Sequence, residues 1–298
     1  RCRRGVVKKG VYMYRSLQEL CEIATEQNKK LYEVVLEEDC HERGIPVDDG
    51  FAQVTKVYQA MKEADQEYDA DITSTSKLAG GDGEKLRKYR EKETSLCGDY
   101  VIGVMEKAVK MGESNACMKR IVASPTAGSC GVVPAVLLSL QERFSYSDEE
   151  MTKALLVAAG IGGVIATRAF IAGAAGGCQA EIGSASAMAA GAAAFLQGGD
   201  SDTICHAAAM ALKNLLGLAC DPVGGLVEVP CVKRNVIGAT SALTATDMAL
   251  AGIRSKIPPD EVIDAMRSIG VAMPSCIKET GKGGLAMTPE GQKYMPGV

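Results

Sequence analysis

The chain has 298 residues, 47% of them hydrophobic, which is enough to bury one large core or two modest ones. Its net charge is −4 and its basic residues are scattered, so we expect no nucleic-acid partner. The eleven cysteines include no CxxC pair, which excludes zinc ribbons and the bacterial ferredoxin spacing. The first twelve residues lead into no apolar signal segment, and Met13 is a candidate start. We therefore expect a cytoplasmic protein whose cysteines serve metal binding or catalysis.

The segment 14–75 is predicted to form an N-terminal helical hairpin. Ser16 and Glu19 make a capping box, and apolar residues follow at helical spacing. Gly44-Ile45-Pro46 then separates this helix from a second one. We expect the hairpin to pack on a main domain, residues 76–298.

Two segments of the main domain have the composition of loops. Residues 71–83 are rich in hydroxyl side chains and glycine, with almost no apolar periodicity. A predicted helix over 99–111 leads to the second segment, S-P-T-A-G-S-C-G at 124–131.

The remainder predicts one helix after another. Ser147 caps the first of these helices, and Asp200 or Ser201 starts another that runs to Leu216. Pro258-Pro259 opens a third, which is predicted to stop at Gly270 by the preference for Pro at helix starts and Gly at helix ends.

Alanine and glycine make up more than half of residues 154–194, so helices there can pack almost backbone to backbone. The apolar stretch 154–177 is interrupted by glycines and Arg168, so we expect no membrane span. Residues 225–232 show a weak alternation typical of a strand. The fold predicted from these elements is all-α: a compact multi-helix domain rich in Ala and Gly.

Three cysteines stand in unusual local settings. Cys178 follows two glycines, Cys220 precedes an Asp-Pro dipeptide, and Cys231 follows a Val-Pro dipeptide. Lys233 and Arg234 lie just beyond and would offset the negative charge of an iron–sulfur cluster held by thiolates. The alternative is that each cysteine is a small buried hydrophobic residue. Spacing alone leaves both interpretations open.

The segment 124–131 predicts an anion site. It offers the hydroxyls of Ser124, Thr126 and Ser129, together with backbone N–H groups around Gly128 and Gly131, in front of a predicted helix. An ordinary capped helix start is the alternative.

Four strings of the sequence together resemble a known family: SPTAGSCGVVPAVL, GGCQAEIGSASAMAAG, ALKNLLGLACDPVGGLVEVPCVKRN and ETGKGGLAMTPEG. They resemble the α chain of bacterial iron–sulfur L-serine dehydratases, from about Tyr14 to the C-terminus. The resemblance implies that Cys178, Cys220 and Cys231 hold a 4Fe–4S cluster in an iron–sulfur catalytic domain. It also implies L-serine as substrate and a separate β chain, since residues 14–75 lack the βαβ pattern of a fused β unit. We therefore expect a hetero-oligomer.

Three thiolates for four irons imply one open iron, which would act as a Lewis acid on the serine hydroxyl. Cys130 is the rival fourth ligand, but its segment matches the substrate-binding part of the family, so we place it with the substrate residues. Glu181 is predicted either to orient the substrate ammonium or to pair with Lys233 or Arg234. Ser184 is predicted to hydrogen-bond the cluster or the substrate, or to be a packing contact.

The general base is not identified by the sequence. Ser124 in the anion loop and Lys77 in the 71–83 loop are the two candidates. His41 and His206 are the two histidines, and both have settings typical of structural residues.

Three other functions remain open from sequence. Cysteine desulfidases resemble the same cluster domain and differ in the leaving group. Ser76-Lys77 followed by glycines superficially resembles a pyridoxal phosphate site. A function of a different class is a sensor protein, in which the cluster would respond to oxygen or iron.

Overall fold

The computed structural model describes residues 14–92 and 94–295, in which the chain forms twelve α-helices and no β-strand. The helices are α1 (Leu17–Glu26), α2 (Leu31–Arg43), α3 (Val47–Gln66), α4 (Asp82–Arg90), α5 (Gly98–Ala116), α6 (Val132–Phe144), α7 (Asp148–Arg168), α8 (Gly173–Gly176), α9 (Ser184–Leu196), α10 (Ser201–Lys213), α11 (Cys231–Leu250) and α12 (Pro259–Ala272). A π-helical turn, Gln179–Gly183, precedes α9. The all-α prediction is confirmed. Met13 lies outside the described residues.

Helix α9 lies at the centre of the core, packed against α6, α7, α10 and α11. Residues 184–194 are all buried, as expected for a helix that is small or apolar on every side. A Cβ at Gly191 would lie 2.1 Å from Ile161 Cδ1 of α7, so only glycine allows these two helices to approach this closely. The main core cluster takes side chains from both predicted segments, 14–75 and 76–298.

Helix α7 is one of the elements that local sequence predicted well. Ser147 and Glu150 form its capping box, with Ser147 Oγ 3.2 Å from the Glu150 N–H. By length and composition α7 is apolar enough to cross a membrane, and within the described residues it is the one helix of that kind. However, 67% of its most apolar window is buried inside the protein, against α2, α3 and α9. In this fold α7 is a core helix.

The N-terminal segment contains three helices, so the prediction of a two-helix hairpin is wrong. Ser16 caps α1 as expected, but α1 ends at Glu26 because Asn28 takes a left-handed conformation with φ of 53°. The Lys29 N–H then bonds to the Ala24 carbonyl at 2.8 Å, which satisfies the end of the helix. The chain restarts as α2 at Leu31, thirteen residues before the break at Gly44 that the sequence analysis placed ahead of the second helix.

Three further boundaries differ from the sequence prediction. The loop at 71–83 ends at Gly81, because α4 begins at Asp82 and was not predicted. The weak alternation at 225–232 does not correspond to a strand: the chain forms a 3₁₀ turn, Val223–Gly225, and enters α11 at Cys231. Helix α12 continues past Gly270, where a Cβ would lie 3.1 Å from Gly176 Cα of α8. That glycine is therefore a packing residue instead of a helix stop.

Helix α4 depends on a buried carboxylate that the local sequence does not reveal. Glu113 of α5 accepts the Gly80, Asp82 and Gly83 N–H groups at 3.1, 2.8 and 3.1 Å, and the Tyr68 hydroxyl at 2.6 Å. It thus supplies, from a distant part of the chain, the hydrogen-bond acceptors that a side-chain cap would provide.

We expect Glu113→Gln to lower the free energy of unfolding by about 2–3 kcal/mol, because one acceptor oxygen becomes a donor facing two buried donors. Urea denaturation measures this change, and limited proteolysis should cut the 71–81 loop faster. Glu149→Gln removes an exposed pairing with Lys153 and serves as the control, with no measurable change expected. Equal stability of the two variants would contradict the role given to Glu113.

Candidate active site

The fold brings together the three cysteines that the sequence singled out. Cys178 precedes the π-helical turn, Cys231 is the first residue of α11, and Cys220 lies in the loop between α10 and the 3₁₀ turn at 223–225. All three are buried. Cys220 is the neighbour that most affects the pKa of Cys178, the charge of Cys178 raises the pKa of Cys231, and the charge of Cys231 raises that of Cys220, so the three side chains lie close to one another. Two segments far apart in sequence therefore converge on one cluster of thiols.

The C-terminal segment fixes the position of Cys220. Its N–H donates to the Ile277 carbonyl at 2.8 Å, and its carbonyl accepts from the Glu279 N–H at 2.7 Å. These two bonds form an isolated β-bridge between Cys220 and Lys278. The last quoted sequence motif is thus part of the site, although no role for it was predicted.

Arg234 provides the positive charge beside the cysteines. Its guanidinium donates to the Ala219 carbonyl at 2.6 Å and to Asp221 Oδ1 at 2.8 Å. The pKa of Cys178 is lowered, mainly by the hydrogen bond from Cys220 and further by Arg234, which favours a thiolate there. Lys233 instead pairs with Asp82 on the exposed side. Of the two predicted cations, Arg234 alone faces the cysteines.

Glu181 connects the cysteines with the predicted anion loop. Its Oε1 accepts the Thr126 hydroxyl at 2.7 Å, and its Oε2 lies 3.9 Å from Cys220 Sγ. A Cβ at Gly128 would lie 3.1 Å from Glu181 Oε1, so the loop backbone and this carboxylate are closely packed. Burial raises the pKa of Glu181, and the nearby carboxylate of Glu279 adds to the shift. Neither Lys233 nor Arg234 pairs with Glu181, so that alternative is wrong.

Asn235 holds the anion loop against the start of α11. Its Oδ1 accepts the Gly131 N–H at 2.8 Å, and its Nδ2 donates to the carbonyls of Gly128 and Cys231 at 3.0 and 2.9 Å. The Gly131 N–H is therefore not available to an anion, contrary to expectation. Sequence reasoning missed Asn235, although its position one turn after Cys231 was a usable signal.

The hydroxyl groups of the loop divide into two kinds. Ser129 Oγ is fully engaged within the loop, between the Thr126 N–H and the Ser124 carbonyl. By contrast, Ser124 Oγ and, after the π-helical turn, Ser184 Oγ are buried with no hydrogen-bond partner in the described structure. Buried hydroxyls are normally paired, so these two are free to bind a ligand.

Cys130 turns away from this site. Its Sγ lies 3.6 Å from the Met111 carbonyl of α5, and complete burial raises the pKa of its thiol to about 12. No contact joins the Cys130 thiol to Cys178, Cys220 or Cys231, or to the hydroxyls of the loop, in the described structure, so the fold places this thiol apart from them. We therefore leave Cys130 out of the proposed site.

Lys77 lies on the outside of the 71–81 loop, exposed, with a left-handed φ of 65°. The loop itself is fastened near the cysteines, because Ser74 and Ser76 both donate to the buried carboxylate of Glu228, at 2.7 Å for Ser74. Glu228 precedes Cys231 by three residues. The loop thus borders the site, while no contact joins Lys77 to the cysteines or to the anion loop in the described structure.

The sequence of this chain is similar to those of several known proteins. Residues 26–286 match the family model described as serine dehydratase alpha chain. The chain is 47% identical to a probable L-serine dehydratase alpha chain of Bacillus subtilis, over 94% of each chain. It is 38% identical to the L-serine dehydratase alpha chain of Peptoniphilus asaccharolyticus, over 94% of this chain and 97% of that one.

The chain belongs to the serine dehydratase alpha-chain family. An L-serine dehydratase of Helicobacter pylori is also similar, at 36% identity over 93% of this chain, which spans 62% of that longer protein. The family match extends over the three cysteines, the anion loop and Glu279. In this member of the serine dehydratase alpha chains, those elements meet around Glu181 and Asn235.

We expect Asn235→Ala to lower the free energy of unfolding by about 2–4 kcal/mol, because it leaves the buried Gly131 N–H and Gly128 carbonyl without their partner. Amide hydrogen exchange at Gly131 should accelerate, since that N–H loses its acceptor. Asn214 lies exposed at the end of α10, and Asn214→Ala is the control, with little change expected. Unchanged exchange at Gly131 would show that Asn235 does not hold the loop.

Proposed function

We propose that this chain is the catalytic α subunit of an iron–sulfur L-serine dehydratase, which converts L-serine to pyruvate and ammonia. The observation that carries the proposal is the convergence of three buried cysteines with Glu181 and the hydroxyl-rich loop at 124–131. Membership of the family and the names of its relatives point to the same substrate and reaction.

The residues present fit a 4Fe–4S cluster bound by three thiolates. Cys178, Cys220 and Cys231 are buried together, and the Arg234 guanidinium offsets negative charge beside them. Among the described residues no three His, Cys, Asp or Glu side chains converge tightly enough for a single metal ion. In a cluster each thiolate binds a different iron, so the three cysteines do not have to converge on a single point.

When bound, such a cluster supplies an iron without a protein thiolate, which polarises the β-hydroxyl of serine as a Lewis acid. The protein's own residues then have to bind and orient the amino acid. The loop at 124–131, which contacts Glu181 through Thr126, suits its carboxylate, and the buried setting excludes water, which strengthens these interactions. Loss of the α-proton and of the hydroxyl gives aminoacrylate, which tautomerises and hydrolyses to pyruvate and ammonia.

Of the two base candidates, we favour Ser124 over Lys77. The Ser124 hydroxyl is buried, lacks a partner in the described structure, and belongs to the loop whose Thr126 contacts Glu181. Lys77 is exposed on the outer side of its loop. A general base has to reach the proton that it removes, so the geometry supports the serine.

We further infer a separate β chain as partner. The relatives named alpha chain match this chain over nearly their whole length, and that name implies another subunit. The polar 71–81 loop, fastened to Glu113 and Glu228 beside Cys231, is the surface that we assign to this contact. A cytoplasmic location also stays a prediction.

The activity test is anaerobic reconstitution with iron and sulfide, followed by addition of L-serine and assay of pyruvate. We expect slow turnover by this chain alone and an increase of at least about tenfold on adding the β chain, because the open site needs cover from water. L-cysteine, assayed for sulfide, distinguishes a desulfidase. Absence of pyruvate from the reconstituted complex would overturn the proposed function.

Substitution of the cysteines tests the ligand assignment. Cys178→Ser, Cys220→Ser and Cys231→Ser should each abolish iron binding and the brown absorption, because each removes one of three thiolates. Cys130→Ala is the matched control and should retain most of the iron, since its thiol faces Met111. Iron content and visible absorption are measured for each of the four variants. A colourless Cys130→Ala together with a brown Cys178→Ser would disprove the assignment.

A further inference from the structure

Two cysteines outside the candidate active site are in direct contact. Cys21 lies on α1 and Cys205 on α10, 184 positions apart in the chain, and their Sγ atoms are 3.1 Å apart. Both are free thiols in the described structure. A disulfide bond places its two sulfur atoms about 2.0 Å apart, so an approach of roughly 1 Å would allow these two to bond.

The contact between the thiols belongs to a packed interface between helices. Asp260 of α12 accepts the Leu17 and Gln18 N–H groups at the start of α1, at 2.9 and 3.0 Å. Cys21 Sγ also lies 3.6 Å from the Ser201 carbonyl at the start of α10. Because these contacts fix α1 against both α10 and α12, the two sulfur atoms are held as neighbours by the fold.

The two cysteines differ in their access to solvent. Cys21 is half-buried and lines an open surface hollow of about 290 Å³, together with Gln18, Glu22, Thr25 and Glu26. Cys205 is only 5% exposed and belongs to the main core. A small oxidant dissolved in water therefore reaches Cys21 more readily than Cys205.

The proton of the pair stays on the inner sulfur atom. The hydrogen bond with Cys21 and the burial of the side chain raise the pKa of Cys205 well above its usual value, and the charges of Asp260 and Asp202 add to the shift. Cys205 is therefore the donor in the hydrogen bond between the two thiols. Cys21 is the sulfur that an oxidant meets first, with a protonated thiol directly beside it.

We propose that Cys21 and Cys205 form a redox modification site, at which a peroxide converts the two thiols into a disulfide bond between α1 and α10. Cys21 attacks one peroxide oxygen, the O–O bond breaks, and sulfenic acid forms with release of water. Cys205 then attacks the sulfenic sulfur, the S–O bond breaks, and a second water leaves. Two thiols thus lose two electrons and two protons while hydrogen peroxide is reduced to two waters. A dithiol reductant reverses the change.

The bond would act on the stability of the fold. It would close a loop of 184 positions, and a cross-link across so long a loop restricts the unfolded chain. The oxidised chain should therefore unfold at a higher urea concentration than the reduced chain. This inference is independent of the proposed function, since neither cysteine belongs to the candidate active site.

The test treats the folded full-length chain with stoichiometric hydrogen peroxide, alkylates the remaining thiols, and maps the peptides by mass spectrometry. Trypsin alone leaves Cys178 and Cys205 in one peptide, so Glu-C is added to cleave after Glu181 and separate them. A linked pair of peptides that contain Cys21 and Cys205 is expected. The urea midpoint should shift upward with the link and return after dithiothreitol.

Cys21→Ser and Cys205→Ser should each abolish the linked pair and the urea shift. Cys97→Ser removes an exposed cysteine and is the control, in which both should persist. Recovery of Cys21 and Cys205 as separate alkylated peptides after peroxide treatment would overturn the inference. Equal yield of the linked pair from chain oxidised in urea would also overturn it, because the pairing would then not come from the fold.

Discussion

The buried Arg234 guanidinium is the interaction on which the arrangement of the three cysteines depends. Arg234 belongs to the same helical turn as Cys231, holds the Ala219 carbonyl next to Cys220, and contributes to the lowered pKa of Cys178. Its Asp221 partner accepts the Leu285 N–H at 2.9 Å, so the C-terminal segment docks on the same point. One cation thus joins four parts of the chain that sequence places far apart.

Small residues allow the helices and loops around the site to pack closely. Helix α9 is buried along its whole inner length, and glycines such as Gly191 permit backbone distances that larger side chains would prevent. A glycine also lies at a close contact in the site, where Gly128 of the anion loop packs against the Glu181 carboxylate. The high Ala and Gly content is therefore a requirement of the site as well as of the core.

Local sequence signals predicted the helices that begin with their own caps. Ser16, Ser147 and Asp200 each accept a backbone N–H three residues ahead, and this pattern is readable without any tertiary knowledge. The helix that sequence missed, α4, begins at backbone groups satisfied by Glu113, about thirty residues away. The weak alternation at 225–232 forms no strand, because the left-handed Gly224 and Gly225 turn the chain at its start.

The residues of the site, like the helices, were predicted only where the local sequence carries a signal. Glycine and proline neighbours marked the three cysteines, but their spacing carried no metal motif, and the resemblance to a family was needed to group them. Asn235 lies one turn after Cys231, but its role and that of Glu279 come from contacts with Gly128 and Cys220 across the fold, which the local sequence does not show. Lys77 was selected from a local pattern, and the fold places it on the exposed side of its loop.

The central claim is that three cysteines of this chain hold a four-iron cluster beside the amino-acid site. Mössbauer spectroscopy of the complex reconstituted with ⁵⁷Fe tests it most directly, because each iron contributes separately to the spectrum. L-serine should change the signal of one iron in four and leave the other three as they were. If serine alters no iron, the amino acid does not bind at the cluster.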